Sequence, residues 1–554
     1  MFNTLTRMGA AGAGSAYEID RSLRFHGSDS TKLTRTFGTN SSDTTKTLSF
    51  WMKRTKLGTY QKPFATTTSG YIEGYIRIND DDSLQYEDRD SSSGSTDGRL
   101  VTNRRFKDVS AWYHIVLTID TTNGTAGDRV RIYVNGVRET SFSSTTNPAS
   151  SYASQFFRSS VDNFIGAGDV YFDGYLAEIH FVDGTALDSS SFGETDADTG
   201  QWIPKKYTGA HGTNGFYLNF SDNSNTTAGT LGADSSANSN NWTPTNLSVS
   251  AGVGNDSVED SPTNNYCTLN PLFNAQSSLE PNIGDGALYS DNGGGGDDVT
   301  QGTIGVTSGK YYFEATCGSG ASGGRHFVGW MLNEPDDGGN RIGGLYRSSG
   351  IVTNLAGTTT DHGVTYTTND VIGCAIDADA GKVYFAKNNT WINSGNPPAG
   401  SGEAFTYTAG PALFPGIAFD NNGNTIVWNV NFGQQGFTYT PPTGFKALCT
   451  KNLPTPTIKK PTDYFNTVLY TGNDSDGHAI TGVGFQPDFV WIKDRGDGNK
   501  HRLYDDLRGV NAALHTDDDS AEDQYATYGQ FESFDSDGFT VGIGTGDASQ
   551  RGEG

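Results

Sequence analysis

Four short stretches decide how this chain folds: WYHIVLTID at residues 112–120, RIYVNG at 131–136, IG at 165–166 and FDGYLAEIHFVDG at 172–184. In the first, Tyr113, Ile115, Leu117 and Ile119 alternate with Trp112, His114, Val116 and Thr118, the period-2 pattern of a strand with two different faces. Val130, Ile132 and Val134 repeat the alternation and end in Asn135-Gly136, two residues that tolerate positive φ and so specify a tight hairpin. In the last stretch Tyr175, Ala177, Ile179 and Phe181 form an inward row, Glu178 and His180 point outward, and Asp183-Gly184 ends the strand. Antiparallel strands around one core follow from these residues alone.

The order of the four motifs resembles a laminin-G/concanavalin A-like jelly roll. That resemblance implies a fold used mainly for recognition, with glycoside hydrolases among its relatives. The surrounding composition is that of an all-β protein. The chain has 554 residues, 72 of them Gly, and Ser, Thr, Asn and Asp crowd the gaps between short aromatic and β-branched runs. The one stretch with a helical look is a short turn at Tyr504–Leu507. At roughly 100–200 residues per domain, the length predicts about three domains.

Working outward, residues 1–15 are Gly/Ala-rich and form an N-terminal segment, and residues 16–220 hold the first sandwich, whose last strand falls within residues 215–220. Residues 221–260 read as a connector, turn-rich from Ser221 to Asn241. Residues 261–450 carry GKYYFEATCG from Gly309, RHFVGW from Arg325, NDVIGCAIDADAGKVYFAKNNTW from Asn369, LFPGIAF from Leu413 and NFGQQGFTYTPPTGFKAL from Asn431. The strands Val371–Ile376 and Lys382–Ala386 are joined by a five-residue turn ending in Gly381. This block resembles a SPRY domain, a second antiparallel sandwich that binds proteins through loops at one end. Its insertions at residues 293–298 and 335–344 depart from the compact form. A Pro/Lys-rich linker at 451–462 leads to residues 463–554, with GFQPDFVWIKDR from Gly484, HRLYDDLRGV from His501 and FESFDSDGFTVG from Phe531. These resemble a β-rich module repeated near the end of tailed-bacteriophage fibre-type proteins, in which a further strand follows. Either this copy of the module is incomplete, or the sequence ends where an ordered segment of a longer polypeptide ends, and the second is the expectation.

Catalytic relatives of the first sandwich flank a glycosidic bond with two carboxylates, about 5–5.5 Å apart in retaining enzymes. EIDRSL at residues 18–23 comes nearest, but Glu18 and Asp20 lack the second Glu. Glu178 with His180, and Glu314 in YYFEATCG, are read as structural strand residues. No H-E-x-x-H or P-loop occurs, so no catalytic or cofactor-binding residue is assigned and the chain is read as a non-enzyme. The nine histidines show no metal-ligand spacing. Calcium is the one cofactor left open, through oxygen ligands in the loops Asn79–Asp82, Asp297–Asp298 and Asp517–Asp519. Cys267, Cys317, Cys374 and Cys449 form no C-x-x-C pair, and Cys374 reads as a small buried thiol. Phe164, Phe172 and Phe385 are expected inside strands. Tyr346 and Trp391 fall in Gly/Asn-rich loops, where aromatics stack on sugars or anchor partners.

A formal charge of −25 argues against nucleic acid or an anionic membrane as partner. No apolar run approaches the roughly 20 residues of a membrane span, and residues 1–16 lack the apolar core of a secretory signal. Two recognition-type sandwiches and a fibre-type module therefore read as a tailed-phage virion protein made in the host cytoplasm, most simply a tail fibre. Other virion proteins would hold its N-terminal region, and its loops would bind a host surface glycan or protein by multivalent contact. Ligand-binding residues stay unassigned. The fibre resemblance implies a homo-oligomer, with a trimer favoured. A capsid decoration or head-fibre protein is the alternative of a structural class, a polysaccharide depolymerase that of an enzyme class, and a bacterial adhesin fits poorly without an export signal.

Overall fold

The computed structural model describes residues 17–544 apart from 69–70, 90–93, 274–280, 294–298, 320–325, 334–342, 421–424, 497–499, 518 and 523–528. Strands dominate, and the only helices among the described residues are single 3₁₀ turns. Contacts divide the chain into two compact units. One contains both sandwiches and runs to Pro456, less residues 197–200; the other holds those four residues and everything from Thr457 onward.

The first sandwich pairs two antiparallel sheets. Its first sheet runs Val137–Arg138, Val130–Val134, Trp112–Asp120, Thr45–Arg54, Gly174–Asp183, Ser22–Phe25 and Ser257–Val258, with Phe216–Leu218 also on Gly174–Asp183. The second runs Phe142–Thr146, Thr96–Arg105, Ser83–Arg89, Tyr71–Ile78, Gln61–Thr68, Asp162–Ile165, Lys32–Thr36 and Thr243–Thr245. The Asn135-Gly136 hairpin forms as its residue types require, with φ of 48° and 84°. Between the sheets lie Ile115, Leu117, Ile119, Ile132, Ile179 and Phe181, all essentially inaccessible.

One expectation fails at the first sheet's outer face. Glu178 and His180 do not face water: both are buried, as are Trp112, His114, Val116 and Thr118. Chain from Leu187 to Tyr217 folds back over this face and packs Phe192, Leu187 and Tyr207 on Val116, Tyr133 and Val182. Tyr175 and Ala177, expected in the inward row with Ile179 and Phe181, pack instead on this outer face with Trp51 and Trp112, because the bulge between Ala177 and His180 breaks the alternation.

The stretch expected as a connector is turn-rich from residue 221 to 241, yet it belongs structurally to the sandwich. Thr243–Thr245 supplies the edge strand of the second sheet and Ser257–Val258 that of the first. Trp242 is fully buried among Phe37, Phe157 and Phe216, with ring centroids 5.0–5.9 Å away. A few residues on, Asp260 is buried and accepts from Lys53 Nζ at 2.7 Å and Trp112 Nε1 at 3.1 Å. Lys53 also donates to Asn265 Oδ1 and the Tyr266 carbonyl, each at 2.7 Å. Tyr175 donates to the Gly286 carbonyl and Gln435 to the Val253 carbonyl, so both sandwiches share one bonded joint. Buried charges are tolerated there because each has several partners.

The second sandwich has one sheet of Asn282–Gly284, Tyr289–Asp291, Val427–Asn431, Lys310–Cys317, Val371–Asp377, Lys382–Lys387 and Thr390–Trp391, with Phe405–Thr406 on Lys382–Lys387. The other is Val299–Gln301, Leu413–Phe419, His326–Leu332, Gly343–Arg347, Ile351–Thr353 and Thr359–Asp361. Trp330, Phe313 and Trp428 fill the space between them. All four cysteine thiols are buried, and burial pushes the Cys374 thiol far above its ordinary range. Most of both insertions flagged in the sequence, residues 294–298 and 334–342, lies outside the described residues.

The C-terminal unit has a three-stranded sheet, His478–Thr481, Gly538–Gly542 and Gln530–Asp535, and a hairpin of Phe489–Ile492 with Arg502–Asp505. Its small core is built on Ile480, Val490, Tyr504, Phe531, Phe539 and Val541. The helical turn expected at Tyr504–Leu507 is instead the end of a strand and a turn, because Tyr504 pairs with Val490 and stacks on Phe531 at 4.5 Å.

Candidate functional site

The second sheet of the first sandwich turns one face to the core and the other outward. Ile76, Ile78, Leu84, Tyr86 and Leu100 point in, so their neighbours Tyr75, Arg77, Gln85, Glu87 and Arg99 point out. Register sets them in rows. Arg99 lies opposite Glu87, Glu87 opposite Tyr75, Tyr75 opposite Ala65 and Ala65 opposite Phe164; Arg77 lies opposite Gln85 and Gln85 opposite Val101. Phe164, expected in a strand interior, therefore sits on this outer face with Lys32 Nζ 5.3 Å from its ring centroid.

Tyr75, Gln85 and Glu87 are themselves buried, and hydrogen bonds make them a fixed floor beneath the partly exposed Arg77 and Arg99. Glu87 accepts from Arg99 Nε at 2.8 Å and Gln85 Nε2 at 2.5 Å, and Arg89 Nε lies 3.3 Å away. Burial raises the Glu87 pKa, but the bonds from Arg99 and Tyr75 and the charges of Arg99 and Arg89 outweigh it, holding the carboxyl below its usual range. Gln85 Nε2 also donates to the Tyr75 hydroxyl at 3.2 Å. Arg77 donates from Nε to Asn79 Oδ1 and from Nη2 to Gln85 Oε1, both at 2.8 Å, and its guanidinium lies 4.7 Å from the Tyr60 ring centroid and 5.5 Å from that of Tyr75. Lys62 Nζ is 4.6 Å from the Tyr75 centroid and pairs with Asp169. Burial lowers the Lys62 pKa against the pull of Asp169. Tyr60 is 48% exposed, so an aromatic surface is open to a ligand beside fixed polar groups.

The residues singled out in the sequence lie elsewhere. Glu178 sits at a bulge with φ of 50°, where pairing with Thr45–Arg54 skips between Ala177 and His180. It accepts from Tyr17 Oη at 2.6 Å and Tyr217 Oη at 2.7 Å. His180 stacks on Tyr217 with centroids 4.2 Å apart and meets His211 Nε2 at 3.1 Å. Burial and the neighbouring His180 push the His211 pKa down to about 4. Covered on every side, Glu178 and His180 organise the fold rather than face a substrate. Glu314 is equally internal, accepting from the backbone N–H groups of Thr438 and Tyr439 at 2.8 Å and from the Tyr312 hydroxyl at 3.1 Å. Glu18 and Asp20 are exposed, Glu18 in an ion pair with Lys451.

In the loop Asn79–Asp82, Asp82 Oδ1 accepts from Arg54 Nη1 and the Gly58 N–H, and Asp81 Oδ1 from Ser83, so these oxygens serve a hairpin. Asp297, Asp298 and Asp518 lie outside the described residues. Tyr346, expected in a loop, is a fully buried strand residue stacked near Phe385, and Trp391 packs partly buried beside Tyr312. Sequence reading passed over Tyr75, Arg77, Gln85 and Glu87. Their signal was present in YIEGYIRI and SLQYEDR, where the non-core positions carry charged, amide and aromatic groups rather than Ser or Thr.

Comparison with known families agrees with these folds. Residues 25–191 match the concanavalin A-like lectin/glucanases superfamily. Residues 310–435 match the SPRY domain, and residues 460–553 match a domain of unknown function, DUF7483. Among solved structures, the chain resembles the SPRY domain of human HERC1 at 21% identity, covering 26% of this chain and 87% of that one with a TM-score of 0.22. A heptameric SAP-like pentraxin from Limulus polyphemus is 17% identical, with 31% and 80% covered and a TM-score of 0.24. A putative carbohydrate binding protein from Bacteroides ovatus is 15% identical, with 41% and 58% covered and a TM-score of 0.26.

Proposed function

We propose that this chain is a non-enzymatic recognition protein whose concanavalin A-like sandwich binds a host surface glycan on the outer face of its second sheet, in the setting of a phage tail fibre. The observation that carries the binding reading is half-exposed Tyr60 and partly exposed Arg77, set over a buried, hydrogen-bonded floor of Tyr75, Gln85 and Glu87. Its polar groups are held in place by one another while Tyr60 stays half exposed. Aromatic area beside fixed hydrogen-bonding groups suits a sugar, which offers an apolar ring face and a rim of hydroxyls. The buried joint around Lys53 and Asp260 supports the same reading, because it holds two recognition-type folds as one body. The fibre setting is supported by the resemblance of residues 463–554 to fibre-type modules. Repeated copies would convert weak single contacts into firm attachment by raising effective concentration.

Cell binding by the full chain tests this directly. Fluorescently labelled protein should decorate a host strain and lose most of that binding on Tyr60→Ala. Undiminished decoration by this variant would move the binding surface away from this face.

A further inference from the structure

We propose that the same outer face selects an acidic polysaccharide, with Arg77 reading its anionic group. The proposal rests on the reading of that face as the ligand surface and adds the chemical class of the ligand. Arg77 is the observation behind it. The other arginines of this face and Lys62 are held by carboxylates: Arg99 and Arg89 share Glu87, Lys62 has Asp169, and Arg158 has Glu73, while Lys32 lies over the Phe164 ring. The Arg77 guanidinium is fixed instead by two neutral acceptors, Asn79 Oδ1 and Gln85 Oε1, and held between the rings of Tyr60 and Tyr75. Among the described residues it has no carboxylate at ion-pair distance.

Those contacts use Nε and one hydrogen of Nη2, leaving donors on the guanidinium for a ligand. A planar cation preorganised this way suits a carboxylate or sulfate, which it meets with two parallel hydrogen bonds. The carboxylates Glu73, Glu87 and Asp169 on this face are each engaged by another cation. Asp80 stands at its edge, hydrogen-bonded to the Tyr60 hydroxyl. A single guanidinium held by neutral acceptors, on a chain of formal charge −25, favours anionic groups spaced along an otherwise neutral chain. A duplex with one phosphate charge per ~1.7 Å meets repulsion from the rest of the protein. Tyr60, alongside the guanidinium, supplies the stacking surface for the sugar ring that carries the charge.

The test is biolayer interferometry with the full chain against immobilised gellan, κ-carrageenan, dextran and duplex DNA. Retention on gellan, on carrageenan or on both, in preference to dextran, is expected, and the preference between the two identifies carboxylate or sulfate. Arg77→Gln should weaken that retention by about tenfold or more, the scale of one lost charged hydrogen bond, while Arg77→Lys recovers part of it. Circular dichroism and a thermal melt of each variant establish that it is folded. Equal retention on dextran, unchanged by Arg77→Gln but lost with Tyr60→Ala, would overturn the acidic selection and leave the glycan reading standing. Retention on DNA with the same Arg77 dependence would overturn the sugar assignment. Failure to retain any polysaccharide, with Tyr60→Ala leaving cell decoration intact, would overturn both.

Discussion

Trp242→Ala should destabilise the first sandwich by about 3–5 kcal/mol, the range for emptying a buried large aromatic site. The estimate follows from the environment. Trp242 is 0% exposed and packs against Phe37, Phe157 and Phe216, none of which can fill the space without leaving its own position between the sheets. A side chain of this size buries roughly 150–250 Å², and at about 25 cal/mol per Å² that corresponds to ~4–6 kcal/mol of lost transfer free energy, of which the remaining Ala recovers part. The measurement is urea denaturation followed by far-ultraviolet circular dichroism. With a slope near 3 kcal/mol/M, the transition should move down by about 1–1.7 M. Limited proteolysis supplies the second reading: in the wild type, residues 221–256 should resist cleavage despite their Ser/Asn/Gly composition, and in the variant they should be cut first. A loss below about 1 kcal/mol, the ordinary size for an arbitrary substitution, together with rapid cleavage of the wild-type segment, would refute the argument that the presumed connector completes the sandwich.

Three further expectations can be checked with the same protein. Lys53→Met should cost about 3–5 kcal/mol because it strands the buried Asp260 carboxylate, whereas Lys53→Met with Asp260→Leu should cost less than Lys53→Met alone; a thermodynamic cycle by denaturant melts decides. Stability should fall as pH drops below about 6.5, because burial holds His114 at about 3 and His211 and His326 at about 4, so the unfolded chain binds more protons than the folded one in that window. Denaturation midpoints at pH 7 and pH 4.5 should differ, and His114→Gln should flatten the slope. Glu314→Ala should free the turn at Thr438–Tyr439, at a cost of about 1–3 kcal/mol, the scale of leaving buried donors unsatisfied. Faster hydrogen exchange at those two amides would report it.

Local sequence was enough for the strands and their hairpins. The alternation at Trp112–Asp120 and Val130–Val134 and the Asn135-Gly136 turn each depend on nearest neighbours and on backbone preferences that need no distant partner. The same holds for the strands on either side of Asp377–Gly381 in the SPRY sandwich. What covers each strand was not legible. Glu178 and His180 alternate as surface residues do, and only the return of residues 187–217 buries them. Tyr346 stands in a Gly/Ser-rich stretch and still lies in the core, because the Gly343–Arg347 strand pairs with His326–Leu332. Trp242 sits amid Ser and Asn and still fills the space between two sheets.

The candidate site belongs to the same class of fact. Its charged and aromatic residues come from separate strands whose register alone brings Tyr75, Glu87 and Arg99 into one row and Arg77 between two tyrosines. Composition and period by themselves determined that this is an all-β chain of sandwiches with a large negative charge, because those properties sum over local preferences. Which polar side chains stand together, and that neutral acceptors rather than a carboxylate hold Arg77, was decided only by the tertiary structure, because pairing across strands joins residues that the sequence keeps apart.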